Sequence, residues 1–164
     1  MEFLDKLNVR LNRILLILGG IAVLTLMLLA TGNVVLRVFH LPFRGTYEIV
    51  GFLGAVVIAF SLGYTQKRKD HIVVDILTEK FSKRTNRILN LLNYLVTMIF
   101  FSIVSWQVFV WGIKIWKSGE LSETLKIIFY PFVLSVGLGF TVLALVLLND
   151  LLRTLFPLPE RKDL

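Results

Sequence analysis

Cysteine is absent from this chain, which excludes disulfides, thiolate catalysis and cysteine-ligated metal sites. Charge is also absent from four long stretches, Ile14–Leu36, Ile49–Gln66, Ile88–Ile113 and Ile127–Asn149. A helix rises about 1.5 Å per residue and the apolar core of a bilayer is about 30 Å thick, so about 20 apolar residues cross it. The sequence therefore predicts an all-α integral membrane protein with four transmembrane helices, over residues 14–36, 47–66, 88–113 and 127–149.

The segments between and beside these spans are short. None is long enough to bury a core of its own, since isolated domains below roughly 40 residues seldom fold without metals or disulfides. We therefore expect residues 1–164 to form a single membrane domain that is not an enzyme. The apolar content of 56% and the mean hydropathy of +0.78 agree with a polytopic membrane protein.

The net charge of +7 comes from Lys and Arg residues in the loops and tails. There they set orientation and meet anionic headgroups, so we expect membrane lipids, not nucleic acid, as their partners. With both termini inside, thirteen of the 18 Lys and Arg residues lie on the cytoplasmic side. Positive charge is retained on that side, which predicts an N-in, C-in orientation.

Two charged segments carry an apolar stripe at helical spacing. One stripe is near the N-terminus and the other follows the second span: Phe3, Leu4, Leu7 and Leu11; Val73, Ile76, Leu77 and Phe81. We interpret both as short interfacial helices on the cytoplasmic leaflet. The alternative is that each continues the adjoining span by a turn or two.

Ionisable side chains are missing from the middle of every span. Coupled carriers usually place one there, so a proton- or sodium-coupled carrier made of this chain alone would lack an obvious coupling group. His71 and Asp75 lie one turn apart after the second span, but two ligands make a poor metal site. We expect a His–Asp hydrogen bond that holds the loop, with no metal and no cofactor.

Small residues recur every four positions in the second span, at Gly51, Ala55, Ala59 and Gly63, with Gly54 beside them. Such a surface lets another helix approach closely, and close packing drives helix association in lipid. Contact within the four-helix unit and contact with another chain both fit this spacing. We expect Ala55→Leu or Ala59→Leu to weaken assembly while leaving insertion intact.

Four motifs accompany the four spans: Tyr47-Glu48 at the start of the second span, the run Gly51–Ala55, the segment His71–Asp75 after a basic stretch, and Gly119–Leu125 leading to Tyr130-Pro131. In order and spacing they resemble the small membrane subunit of tripartite ATP-independent periplasmic (TRAP) transporters, the DctQ-like family. The resemblance covers essentially the whole chain.

That resemblance implies a bacterial inner-membrane symporter with three components. A secreted substrate-binding protein delivers the solute, a large multi-span subunit carries solute and sodium, and this chain is a non-catalytic scaffold in a heterodimer with the large subunit. A small organic acid-type solute is the implied cargo.

The resemblance also implies roles for individual residues. Glu48, His71 and Asp75 match positions that the family tends to keep, and we assign them structural or interface roles. Arg44 is expected to pair with Glu48 at the outer boundary. Arg44 and the segment Lys117–Lys126 are candidates for contact with the binding protein.

Two other classes of function remain open at this point. One is a self-sufficient four-span exporter that acts as a homodimer, although compact exporters of that kind use a carboxylate in the first span and Ile14–Leu36 has none. The other is an anchor subunit of another membrane complex. Haem-binding anchors need axial ligands within spans, whereas His40 and His71 lie in loops.

Overall fold

The computed structural model describes residues 2–41, 43–68 and 82–155, and these form four long helices. They are α1 (Glu2–Val38), α2 (Thr46–Arg68), α3 (Lys83–Ser118) and α4 (Tyr130–Leu155). All four are long and apolar enough to cross a membrane, which confirms the prediction of an all-α, four-span membrane protein. The helices extend beyond the uncharged runs: α1 has 37 residues, so at 1.5 Å per residue it is about 55 Å long.

The N-terminal segment is not a separate interfacial helix. Helix α1 runs without a break from Glu2 to Val38, so the alternative of a continued first span is correct. No glycine or proline interrupts the chain before Ile14, and side chains near the N-terminus contact α4, so one helix is retained. The second proposed interfacial helix, with Val73, Ile76, Leu77 and Phe81, lies outside the described residues.

Helix α1 packs through one narrow stripe whose members alternate in spacing between three and four residues. Its buried members are Asn8, Asn12, Leu15, Gly19 and Ala22. A repeat that averages 3.5 residues keeps one side of a helix turned toward its neighbour along its whole length. Helix α3 carries a similar stripe of buried and half-buried residues, which faces α4: Phe101, Ser105, Val108, Gly112 and Ile115.

Helices α2 and α4 form the centre of the bundle, with α1 packed mainly on α2 and α3 packed on α4. A small apolar core joins α1, α2 and α4, built from Leu15, Val56, Ala59, Phe60 and Val142. Between α3 and α4, the Ser105 hydroxyl donates to the Gly137 carbonyl at 3.0 Å. Helices α1 and α3 run antiparallel to α2 and α4, so the ends of the four helices lie in two layers.

We call the end where α1 and α3 begin and α2 and α4 end the base, and the opposite end the top. At the base, the Arg87 guanidinium donates to the carbonyls of Thr154 at 2.9 Å and Leu155 at 3.3 Å. These carbonyls lie in the last turn of α4, where the helix dipole favours a positive charge. A cation on α3 therefore caps the last helix.

Candidate partner-binding surfaces

The small residues of α2 do not form a single face. A four-residue repeat exceeds one helical turn by about 40°, so Gly51 and Gly63 point about 120° apart. The half nearer the base is inside the bundle: Ala59 is 1% exposed, and Gly63 is buried against Asn12. Helix α4 approaches this half so closely that a Cβ added to Gly139 would lie 2.7 Å from the Ala59 carbonyl carbon.

The half nearer the top is open. A Cβ added to Gly51 or Gly54 would meet no atom within 4 Å. Ala55 is exposed and lies at the edge of an apolar groove of about 260 Å³, which Phe52 and Phe132 also line. The small-residue surface thus serves contacts within the chain at Ala59 and Gly63, and contact with another chain through Gly51, Gly54 and Ala55 remains a prediction.

Glu48 binds backbone, not Arg44. It lies in the first turn of α2, and its carboxylate accepts hydrogen bonds from the N–H groups of Thr124 and Leu125, the latter at 3.0 Å. Among the described residues no ion pair joins Arg44 to Glu48, and Arg44 is exposed. The loop N–H groups have no helix or strand to bond to, so a charge-assisted bond to a carboxylate satisfies them well.

Hydrogen bonds between its own residues hold the loop between α3 and α4 together. Gly119 ends α3 with a φ of 65°, a left-handed conformation that glycine adopts at little cost. Beyond it, Leu121 and Ile128 form an isolated antiparallel bridge. The Ser122 N–H donates to the Ile127 carbonyl at 2.9 Å, and the Ile127 N–H donates to the Ser122 hydroxyl at 3.2 Å.

Contacts at Gly45 and Glu48 join this loop to the one between α1 and α2. The Leu125 side chain lies so close to Gly45 that no Cβ could be added there without moving it. With the Glu48 carboxylate holding the Leu125 N–H, the two loops form one continuous surface at the top. Exposed charges on it include Arg44, Glu120 and Lys126.

His71 and Asp75 lie outside the described residues, so their predicted hydrogen bond stays a prediction. Across the described ranges, no group of three or more His, Asp and Glu side chains is placed to hold a metal ion.

A polar network at the base was missed at the level of sequence. The Asn149 amide donates to the Asp5 carboxylate at 2.8 Å, and Arg153 forms an ion pair with the same carboxylate at 2.7 Å. Gln66 donates to Asp150 at 3.1 Å. These residues lie at or beyond the ends of the uncharged runs, where hydropathy gives no signal.

The alternating spacing of Asp5, Asn8, Asn12 and Leu15 could have shown that polar and apolar residues share one packed stripe.

Comparison with models of known protein families gives a match over most of the chain. A family model described as tripartite ATP-independent periplasmic transporters, DctQ component, matches residues 26–156. The matched range contains all of α2, α3 and α4, and both loops at the top. Searches of the curated proteins and of the solved structures return no match.

Proposed function

The chain belongs to the DctQ component family of tripartite ATP-independent periplasmic transporters, and we propose that it is the non-catalytic scaffold of a sodium-coupled importer. In this proposal a periplasmic binding protein delivers a small organic acid-type solute. The large multi-span subunit carries the solute by an elevator-type movement. This chain keeps the static part of the large subunit at a fixed depth in the bacterial inner membrane.

The distribution of charge supports a scaffold. The acidic side chains described within the four helices lie at their ends, with Glu48 at the top and Asp5 and Asp150 at the base. Each of the three contacts protein groups through hydrogen bonds. A subunit that binds no ion in mid-membrane needs no carboxylate there, and the absence of one agrees with transport being carried out by the partner.

The observation that carries the proposal furthest is the open half of α2. Helices associate in lipid where small residues let their backbones approach, and Gly51 and Gly54 present such a surface without a neighbour in the described residues. We place the large subunit on this surface. Helix α3 offers further area, since only 6% of its most apolar stretch is buried.

We further propose that the top faces the periplasm and the base faces the cytoplasm, in line with the predicted N-in, C-in orientation. The joined loops at the top then present Arg44 and the segment Lys117–Lys126 to the binding protein. Glu48 contributes indirectly, because it holds the loop backbone in one conformation.

Co-expression with the large subunit tests the proposal. The tagged chain is expected to retain the large subunit one-to-one in a mild-detergent pull-down. Gly54→Leu should lower the yield of the complex several-fold because the added side chain fills the proposed contact. Gly20→Leu is the matched control, since Gly20 also lies on a helix with no atom within 4 Å of an added Cβ.

Two results would contradict the scaffold role. One is recovery of the chain only as a monomer or homodimer. The other is sodium-dependent uptake by liposomes that contain this chain alone. Equal complex yields for Gly54→Leu and Gly20→Leu would instead reject only the placement of the large subunit on α2.

A further inference from the structure

Helix α3 carries a second stripe on the side that is turned away from α4. Gln107, for example, lies two residues after Ser105, which is about 200° around the helix. The spacing of this stripe alternates between three and four residues, and every member is exposed. We call it the outer stripe, and its members are Asn93, Val96, Phe100, Ile103, Gln107 and Val110.

Two members of the outer stripe, Asn93 and Gln107, are amides at the depth of the hydrocarbon. The charges that bound this part of α3 are Arg87 and Lys114, about 40 Å apart along the helix. A bilayer core about 30 Å thick, centred between them, begins about 5 Å from each charge. Asn93 is about 9 Å from Arg87 and Gln107 about 10 Å from Lys114, so both amides lie inside the core.

Neither amide is fully hydrogen-bonded within the chain. Over the described ranges, no hydrogen bond reaches the Gln107 side chain. Asn93 Oδ1 accepts a hydrogen bond from the Thr97 hydroxyl at 3.4 Å, but in the described part of the chain the Asn93 side-chain N–H groups have no acceptor. Hydrocarbon offers these groups no partner, which favours hydrogen bonds to a helix of another chain.

The arrangement of the outer stripe favours a second copy of this chain as that partner. All copies insert in the same orientation, so two copies that meet through α3 lie parallel, with each residue opposite its counterpart. Asn93 and Gln107 are 14 residues apart, which is two heptads, so both meet their counterparts in one register. An amide has both a donor and an acceptor, so two identical amides can bond reciprocally.

The apolar members of the outer stripe agree with a pair of helices. Val96, Ile103 and Val110 are separated by seven residues and are all β-branched. β-Branched residues at one of the two heptad positions favour two strands in parallel coiled coils. Lys114 lies one heptad beyond Gln107, at the end of the uncharged run, where its ammonium reaches water and its repulsion of a second Lys114 is screened.

We propose that this chain forms a parallel homodimer in which α3 packs on α3 of the second copy through the outer stripe. Reciprocal hydrogen bonds between the two Gln107 amides and between the two Asn93 amides fix the register. The pairing goes beyond the proposed function. Because the outer stripe is on α3, it leaves Gly51 and Gly54 of α2 free for the large subunit.

Disulfide cross-linking in membranes tests where two copies meet. The chain has no cysteine, so single-cysteine variants need no other change. Oxidation of Val96→Cys and Val110→Cys should give covalent dimers. Leu95→Cys and Ile113→Cys are the matched controls, since both residues are exposed on α3 at similar depths but lie off the outer stripe, and they should remain mostly monomeric.

Self-association in liposomes tests the role of the amides. Energy transfer between labelled copies of the full chain is measured over a range of protein-to-lipid ratios. Gln107→Leu should weaken the dimer about five- to tenfold, because it removes two reciprocal hydrogen bonds and keeps an exposed apolar side chain. Asn93→Leu should weaken it as well. Asn90→Leu is the matched control, since Asn90 is exposed but lies three residues from Arg87, in the headgroup region.

A chain that stays monomeric at every protein-to-lipid ratio would overturn the proposal, as would equal cross-linking of Val96→Cys and Leu95→Cys. A third contrary result is a Gln107→Leu variant that lowers the yield of the complex with the large subunit and leaves self-association unchanged. The outer stripe would then bind the large subunit and not a second copy. Self-association is measured on this chain alone, so its failure is distinct from a failure of the scaffold role.

Discussion

The close contact between α2 and α4 at Gly139 predicts that Gly139→Ala destabilises the chain. An added Cβ at Gly139 would lie 2.7 Å from the carbonyl carbon and oxygen of Ala59 and 2.8 Å from its Cβ. Two of these three atoms belong to the backbone of α2 and cannot rotate away. The methyl group therefore fits only if α2 and α4 move apart along their seam, which also weakens neighbouring contacts.

Two opposing effects set the magnitude. Replacing glycine by alanine within a helix stabilises it by about 0.5–1 kcal/mol, because glycine loses more backbone entropy on folding. Overpacking a close-packed contact costs about 1–3 kcal/mol, and a clash with backbone lies at the upper end of that range. We therefore expect Gly139→Ala to lower the free energy of unfolding by about 2 kcal/mol.

Titration with sodium dodecyl sulfate, followed by far-ultraviolet circular dichroism, measures this change in the chain alone. Gly20→Ala is the matched control: no atom lies within 4 Å of an added Cβ there, so this variant should be slightly more stable than the wild type. Ala59→Gly should restore little stability to Gly139→Ala, since it removes only one of the three close atoms. Equal stability of Gly139→Ala and Gly20→Ala would refute the reasoning.

Three further predictions concern the ends of the bundle and its buried amides. Glu48→Ala should speed hydrogen exchange of the Thr124 and Leu125 amides by about tenfold, without changing exchange at the base. Unchanged exchange at these two amides would show that the loop keeps its conformation without Glu48. Arg87→Ala should cost about 0.3–1 kcal/mol by removing the cation at the end of α4, whereas exposed Arg84→Ala should cost nothing measurable. Asn12→Leu should leave stability unchanged or raise it by about 1 kcal/mol, because Asn12 is 2% exposed and its Oδ1 has no partner; a clear loss in the same detergent titration would contradict this.

The small residues of α2 show what a sequence pattern can and cannot predict. Their spacing indicated a close helix contact, and Gly139 makes one at Ala59. The turn of about 40° at each step follows from the spacing, but the pattern could not show which half of the surface meets a neighbour and which half faces open space. For that reason Ala59→Leu is now expected to disturb the bundle itself, while Gly54→Leu tests contact with another chain.

Glu48 shows a second limit. Its position at the start of a span was evident, and a nearby arginine was the obvious partner in the sequence. The carboxylate binds loop N–H groups instead, at a sequence separation of 76 residues for Thr124. Backbone donors in a loop carry no signal in the identity of their residues, so this contact was not predictable.

Membrane class and the number of spans were determined by the sequence alone. These properties depend on the length of uncharged runs, because a segment can cross the bilayer only if its own apolar length matches the thickness of the bilayer core. Family membership was likewise indicated by the order of short motifs, and the match over residues 26–156 confirms it.

Only the tertiary structure decided which faces are used and which remain open. The joined loops at the top, the polar network at the base and the division of the α2 surface all bring together residues from different helices. Such contacts depend on how far each helix is rotated about its axis and on how closely the backbones approach. Rotation and approach are set by the packing of side chains from several helices at once, which no single run of sequence contains.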